Sequence, residues 1–364
     1  MNAPPAGLPE ACEVIAEAGV NHNGREDLAL ALIRAAAHAG ADCVKFQTFD
    51  PDDLVTTSAP TAAYQARAGA GSAQKTMLEA LVLPSPALKR AARAAEDAAI
   101  TFLSTPFDIG SARLLVDDLG MKRIKVGSGE LTNLPFLLDL ARLGRPILLS
   151  TGMATLEEVR RALGVVVFAR LAGAQETPSL AAFEAALTAP EAKAVLDETV
   201  VMQCTTQYPA PHDQANLRVL DAYAALGVRP GYSDHTLGLD VALAAVARGA
   251  VVIEKHLTLS RAMQGPDHAA SLEPDEMAEL VRGVRRVTQA LGSAHKTPQP
   301  AEIANMAVAR RVLVAARPIQ AGEAFTPDNL TARRAGEGLA PGLYWSLLGQ
   351  AAAHDFAADE VIQP

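Results

Sequence analysis

Cysteine is scarce in this 364-residue chain: Cys12, Cys43 and Cys204 are the only three, an odd number without C-x-x-C spacing. That argues against a disulfide framework and for buried thiols in a reducing compartment, so a cytoplasmic location is expected. Basic residues are outnumbered, 32 Lys and Arg against 41 Asp and Glu, for a net charge of −9. No basic stripe is visible, which argues against a nucleic-acid partner. An anionic substrate would have to be bound by local lysines and amides rather than by the overall field. No apolar run reaches about 18 residues, so no membrane span is expected. The start, Met1-Asn-Ala-Pro-Pro-Ala-Gly7, has neither the basic nor the apolar segment of a signal peptide.

What is present is a large apolar fraction, 49%, arranged in a rhythm. Strands are predicted at Glu13–Gly19, Asp42–Thr48, Ile100–Ser104, Arg123–Gly127, Pro146–Ser150, Thr199–Cys204, Arg229–His235 and Val251–His256. A helical pattern follows each, from Asp27–Ala39 to Pro274–Leu291. The strands are continuous apolar runs, as suits strands buried on both faces. The plainest closure is a (β/α)8 TIM barrel over residues 1–291, a fold typically of about 250 residues. The rival is a doubly wound open sheet, but no G-x-G-x-x-G follows the first strand and no G-x-x-x-x-G-K-[ST] occurs anywhere.

Two stretches interrupt the rhythm. Asp50–Pro84 is rich in Ala, Gly, Ser and Thr and too long for an ordinary connection. The Ala-rich insert Leu171–Glu198 is expected as a short helical hairpin on the rim. A polar, Pro-containing linker over 292–307 leads to a small β-rich module, 308–364, with strands at Arg311–Ala316 and Phe325–Leu330 around the turn Gln320-Ala-Gly-Glu323. A module this small is expected to lean on the barrel or on another subunit.

In such a barrel, catalytic groups gather at the carboxyl ends of the strands. Those ends give Glu17; Lys45 and Gln47; Ser104 and Thr105; Lys125, Ser128 and Glu130; Ser150 and Thr151; Thr205, Thr206 and Tyr208; Ser233 and His235; and His256. A bare scaffold would not need so many polar groups at one end. His235 and His256 stand 21 residues apart, each after a short apolar run, with a helical pattern between. A lone histidine would read as a satisfied core residue. A matched pair on adjacent strands reads as two ligands of a divalent metal, Mn²⁺, Mg²⁺, Co²⁺ or Zn²⁺, completed by water and substrate.

Lys45 and Lys125 each end an apolar strand. Each either pairs with a rim carboxylate, Glu17 or Glu130, or joins the hydroxyls of Ser104, Thr105, Ser128, Ser150 and Thr151 in clamping an anion such as phosphate. Glu17 and Glu130 are either salt-bridge partners alone or a base and a sugar-hydroxyl acceptor. His22, in the Asn21-His-Asn-Gly24 turn, is read as organising that loop.

These segments closely resemble the sialic acid synthase family. The matching pieces are Ile15-Ala-Glu-Ala-Gly-Val-Asn-His-Asn-Gly24, Val44-Lys-Phe-Gln-Thr-Phe49, Ser104-Thr-Pro-Phe107, Lys125-Val-Gly-Ser-Gly-Glu130, Leu149-Ser-Thr-Gly-Met153, Gln203-Cys-Thr-Thr-Gln-Tyr-Pro209, Gly231-Tyr-Ser-Asp-His-Thr236, Glu254-Lys-His256 and Gly265-Pro-Asp267. The tail, Ala309-Arg-Arg-Val-Leu-Val314 and Asn329-Leu-Thr-Ala-Arg-Arg-Ala-Gly-Glu-Gly338, resembles the family's antifreeze-like (SAF) domain.

The resemblance implies a PEP-dependent carbon–carbon bond-forming transferase, a homodimer with exchanged SAF domains. It would condense phosphoenolpyruvate with N-acetylmannosamine to a nine-carbon 2-keto acid and phosphate. The alternative acceptor is 2,4-diacetamido-2,4,6-trideoxymannose, the legionaminic acid precursor; the pseudaminic acid branch fits the motifs less well. Carried over residue by residue, His235 and His256 would hold the metal, Mn²⁺ in the usual description. Lys45, Thr105, Lys125, Ser128, Ser150 and Ser233 would bind phosphoenolpyruvate. Gln47, Glu130, Tyr208 and Asp267 would face the sugar, with Arg334 reaching the N-acetyl group from the partner subunit. Glu17 would serve near the reacting carbons as base or water positioner. The chain departs from the pattern at Thr206, where some members carry Asn, at Ala335, where Pro is common, and in the longer insert 171–198.

Three rivals remain in play. A Schiff-base aldolase would use Lys45, Lys125 or Lys255 as nucleophile. A barrel metallohydrolase would want His-x-His after the first strand, which Asn21-His-Asn is not. A non-catalytic binding protein would rest on the SAF module alone.

Overall fold

Runs such as Val14-Ile-Ala16 and Val200-Val-Met202 carry no polar side chain, so they are stable only where both faces of a strand are covered. In the computed structural model, which describes residues 11–56, 74–173 and 176–363, eight such runs form parallel strands. They are β1 (Glu13–Gly19), β2 (Cys43–Thr48), β3 (Thr101–Pro106), β4 (Ile124–Val126), β5 (Ile147–Ser150), β6 (Val200–Gln203), β7 (Arg229–Asp234) and β8 (Val252–His256). Their hydrogen-bonded order is β3-β2-β1-β8-β7-β6-β5-β4. β3 also lies against β4, so the ring closes as the expected (β/α)8 barrel. Helices such as Glu26–His38, Leu134–Arg142 and Pro274–Leu291 bury one apolar stripe each, for example Leu32, Ile33, Leu137 and Leu280. The register sets the future site. Glu17 stands beside Lys45 on one side and His256 on the other, Gln47 beside Thr105, and Ser233 beside Glu254.

Several expectations are corrected. β3 runs on to Pro106, past the expected end at Ser104. The helix expected at Gly110–Leu119 is α-helical only over Ile109–Arg113 and then widens into a π turn, Leu114–Asp118. Asp50–Pro84 contains two helices, Pro51–Leu54 and Gln74–Leu81; residues 57–73 of that stretch lie outside the described residues. The insert forms two short helices, Leu180–Ala186 and Ala192–Asp197, packed on the helix Leu156–Leu171 rather than at the rim. Phe183 is buried edge-on to Phe168 at 5.2 Å. Gly164 permits this, since a Cβ there would stand 2.6 Å from the Phe183 carbonyl oxygen.

The chain divides into two compact units, Met1–Gly292 and Ser293–Pro364. The stretch expected as a linker carries a helix, Pro300–Ala309, opened by proline in its first turn and by a capping box between Gln299 and Glu302. Beyond it β9 (Val312–Ala315) pairs antiparallel with β10 (Leu330–Arg333). The second strand therefore begins where the predicted one was to end. Asn329 is the reason: its side chain accepts from Thr326 N at 2.7 Å and donates to the Ala324 carbonyl at 3.0 Å, which turns the chain and tucks Phe325 inward. The unit has a core of its own, built on Leu313, Ile319, Phe325, Leu330 and Phe356.

Candidate active site

Alternate side chains of each barrel strand point inward, and at the carboxyl ends they enclose a cavity of about 420 Å³. Its floor is ionic. The Lys45 ammonium is paired with Glu17 Oε2, donates to Thr105 Oγ1 at 3.0 Å and stands 3.8 Å from Glu254 Oε2. Lys125 Nζ meets the other Glu254 oxygen at 3.2 Å, and Ser233 Oγ donates to that same oxygen at 3.0 Å. Gln47 Nε2 donates to Glu17 Oε1 at 3.4 Å. Glu254 thus links both lysines, a role the sequence reading missed. The signal was available: Glu254 precedes His256 by two residues, as Ser233 precedes His235, and residues two apart share a strand face.

The two carboxyls are pushed apart in acidity. Burial drives Glu17 up to about 7, against the pull of Lys45. Burial would also raise Glu254, but Lys125 and Lys45 outweigh it and bring Glu254 down to about 2. Burial opposes the charge on Lys45, yet Glu17 and Glu254 hold it above its ordinary value, whereas burial prevails at Lys125 and lowers it. Such a split gives one carboxyl able to carry a proton near neutrality and one fixed anion.

His235 and His256 face each other with ring centroids 5.7 Å apart. The Tyr208 ring lies over both, 4.2 Å from His235 and 5.6 Å from His256. His235 Nδ1 donates to the Thr205 carbonyl at 2.7 Å, which leaves the lone pair on Nε2. Ser233 Oγ is 3.4 Å from that nitrogen but already gives its proton to Glu254. His256 Nδ1 is buried without a partner. Burial lowers the pKa of both imidazoles, so they are neutral at pH 7. Among the described residues no three His, Cys, Asp or Glu side chains converge as a full cation cage. The free lone pair on His235 Nε2 and the unpartnered, neutral His256 ring are the two donors that could hold a divalent cation, with open positions for water and substrate.

A cradle of hydroxyls completes the floor. Ser150 Oγ and Thr206 Oγ1 are buried and unpartnered. Ser128 Oγ accepts from Gly152 N at 3.0 Å and touches Cys204 Sγ at 3.1 Å. A Cβ on Gly152 would sit 2.1 Å from Thr206 Oγ1 and 2.9 Å from Ser128 Oγ, so only glycine lets these groups converge. Unpaired hydroxyls beside two lysines suit a phosphate-like anion.

Of the residues singled out from the sequence, Glu17, Lys45, Gln47, Thr105, Lys125, Ser128, Ser150, Tyr208, Ser233, His235 and His256 line this one cavity, as does Thr206. Others do not. Ser104 Oγ pairs with Thr48 Oγ1 at 2.7 Å, and Thr151 Oγ1 donates to the Met202 carbonyl at 2.9 Å, so neither hydroxyl joins the clamp. Glu130 is half-buried outside the lining and accepts from Asn133 Nδ2 at 2.8 Å rather than from a lysine. Asp267 is buried next to the cavity, raised to about 6 by burial against the pull of Lys45. Arg334 is exposed just past β10 in the second unit. Lys255 turns to the opposite face of β8, donating to Asp234 Oδ2 at 2.6 Å and to the Thr236 carbonyl at 2.7 Å. His22 accepts from Gly24 N at 3.1 Å, ordering its own loop as expected.

A (β/α)8 barrel with two lysines, open hydroxyls and two neutral imidazoles at the carboxyl ends of its strands is built as a barrel enzyme. More narrowly, the chain belongs to the NeuB family, whose model matches residues 32–296, and a SAF domain follows at residues 310–364. It is 41% identical over 352 residues to the N,N'-diacetyllegionaminic acid synthase of Campylobacter jejuni, covering 96% of this chain and 98% of that one. It is 34% identical to the N-acetylneuraminate-9-phosphate synthase of Homo sapiens, over 88% of this chain and 83% of that one. Among solved structures, the N-acetylneuraminic acid synthetase of Leptospira borgpetersenii is similar with a TM-score of 0.66 and 26% identity, over 84% of this chain and 94% of that one.

Proposed function

We propose that this protein condenses phosphoenolpyruvate with 2,4-diacetamido-2,4,6-trideoxymannose, giving N,N'-diacetyllegionaminic acid and phosphate. The sequence alone put N-acetylmannosamine first; the 41% identity to a diacetyllegionaminic acid synthase favours the alternative acceptor. The observation that carries the synthase reading is the single cavity where Lys45, Lys125 and the unpartnered Ser150 hydroxyl face two neutral imidazoles.

In this reading Lys45 and Lys125 take the carboxylate and phosphate of phosphoenolpyruvate, with Ser128, Ser150 and Ser233 completing the anion's hydrogen bonds. His235 and His256 would hold the divalent cation, Mn²⁺ in first place, which when bound supplies Lewis acidity toward the aldehyde oxygen. The carbon–carbon double bond supplies the electron pair that joins C3 to the aldehyde carbon. Glu17 accepts a proton from the water that adds at C2 and returns one to the new hydroxyl. Cleavage of the C2–O bond then leaves the ketone and releases phosphate. Holding the two reactants face to face removes much of the entropic barrier. Gln47 and Tyr208 face the acceptor from the wall, and Arg334 of a second copy is assigned to its acetamido group.

A Schiff-base aldolase keeps only Lys45 and Lys125 as candidate nucleophiles, since Lys255 does not line the cavity. Phosphate release from phosphoenolpyruvate with each of the two acceptors tests the proposal, alongside borohydride trapping. Release dependent on acceptor, without trapping, is expected. His235→Ala should abolish both turnover and Mn²⁺ binding by calorimetry; full activity of that variant in chelator would remove the cation's role. Arg334→Ala should raise KM about tenfold for the acceptor and leave that for phosphoenolpyruvate, in line with loss of one charged hydrogen bond; equal effects would take it out of the sugar site.

A further inference from the structure

We infer that an apolar wall at the cavity mouth selects an acceptor whose terminal carbon is a methyl group, over a hydroxymethyl or a phosphorylated terminus. The inference deepens the synthase reading and rests on it. C3 of phosphoenolpyruvate must meet the aldehyde carbon, so the aldehyde end lies over the ionic floor beside the imidazoles. The other end of the open-chain sugar then points toward the mouth.

At the mouth the chemistry changes. Phe49, Leu54, Val55, Leu78 and Phe107 line the cavity there, with the neutral amide of Gln74 among them. Phe49 follows β2, Phe107 follows β3, and the leucines and valine come with the helices Pro51–Leu54 and Gln74–Leu81. They are locked together as a small core of their own with Val20 and Leu81, and the Phe49 and Phe107 rings meet edge to face at 6.2 Å. The wall is therefore a packed apolar surface.

Charge gives the second half of the argument. Among the described residues, the only cations lining the cavity are Lys45 and Lys125, and both are held at the floor by carboxylates. Lys75 and Asp52, on the two mouth helices, are paired with one another and do not line the cavity. Among the described residues of the wall, a phosphate on the terminal carbon would be stripped of water with no cation to meet it, Arg334 of a second copy being assigned to the acetamido group. A terminal hydroxyl would lose water hydrogen bonds against hydrocarbon, whereas a methyl group gains burial.

The test is phosphate release by the full chain with 2,4-diacetamido-2,4,6-trideoxymannose and with its 6-hydroxy and 6-phospho counterparts, which differ only at that carbon. The expected kcat/KM falls about 10–100-fold from methyl to hydroxymethyl, and further to phosphate. Val55→Thr and, separately, Leu54→Lys should each narrow the corresponding ratio about tenfold, the second toward the phosphorylated acceptor, with KM for phosphoenolpyruvate unchanged. Both positions are only partly buried, which favours folded variants. Equal use of the methyl and hydroxymethyl acceptors, or ratios unmoved in both variants with a wild-type KM for phosphoenolpyruvate, overturns the wall's role and leaves the synthase standing. Release with none of these acceptors, nor with N-acetylmannosamine, overturns the synthase reading and the wall together.

Discussion

The two faces of β7 and β8 carry similar residues to opposite ends. On the outer face Asp234 receives Lys255 Nζ at 2.6 Å, Thr236 N at 2.9 Å and Thr236 Oγ1 at 2.8 Å, and Lys255 also reaches the Thr236 carbonyl. Both members are fully buried and hydrogen-bonded. On the inner face Ser233, Glu254 and His256 belong to a network that stays incomplete: His256 Nδ1, Ser150 Oγ and Thr206 Oγ1 are buried and unpartnered. Buried polar groups are normally satisfied. The closed pair is therefore structure, and the open network, which lines the cavity, is where we propose that a ligand supplies the remaining partners.

Breaking the closed pair should cost most. Asp234→Ala strands a buried ammonium and should lower unfolding free energy by about 3–5 kcal/mol, read by denaturant titration. A loss under ~1 kcal/mol would mean that the outer pair is no more structural than the inner network. On the open face, Ser150→Ala deletes a hydroxyl that has no partner, so stability should change by less than about 0.5 kcal/mol. Its KM for phosphoenolpyruvate should rise roughly 10-fold, as for a hydrogen bond to a charged group. An unchanged KM would remove the cradle from the binding site.

A pH series sharpens the contrast further. Glu17 titrates near 7 when folded and near its ordinary 4.5 when unfolded. Between those values the native state keeps a proton that the unfolded chain has lost, so stability falls as pH rises, by at most ~1.4 kcal/mol per unit. Glu254 has the opposite sign, with stability gained from about pH 2 upward to 4.5. Asp267, raised to about 6, adds to the fall below pH 6, so Glu17→Gln should flatten the fall chiefly between pH 6 and 7 and erase the matching limb of the rate profile. An identical slope between pH 6 and 7 in that variant would show that a group other than Glu17 titrates there.

Most of the barrel was legible because a parallel strand covered on both faces must be an uninterrupted apolar run, and Glu13–Gly19 and Pro274–Leu291 fall where the pattern put them. The strand ends were legible as a set but not in parity. Ser104 and Thr105 are neighbours, as are Ser150 and Thr151, and only the pleat decides which of each pair faces the cavity. Glu254 escaped notice because it precedes the strand's last residue instead of following it. The apolar mouth escaped for a different reason. Phe49, Leu78 and Phe107 look like any core residues until the fold places them over a polar floor. The second unit's strand was misplaced because Phe325 has strand character, while the turn made by Asn329 is a property of one side chain.

Glu254, by tying both lysines to one carboxylate, leaves the ring at the cavity floor close to electroneutral only when Glu17 is ionised too, and one charge positive when Glu17 keeps its proton. A multiply negative molecule arriving there makes Glu17 harder to ionise. Its arrival should draw hydrogen ions out of solution, so the heat of association would vary with the buffer chosen, and a mildly acidic medium would tighten the complex.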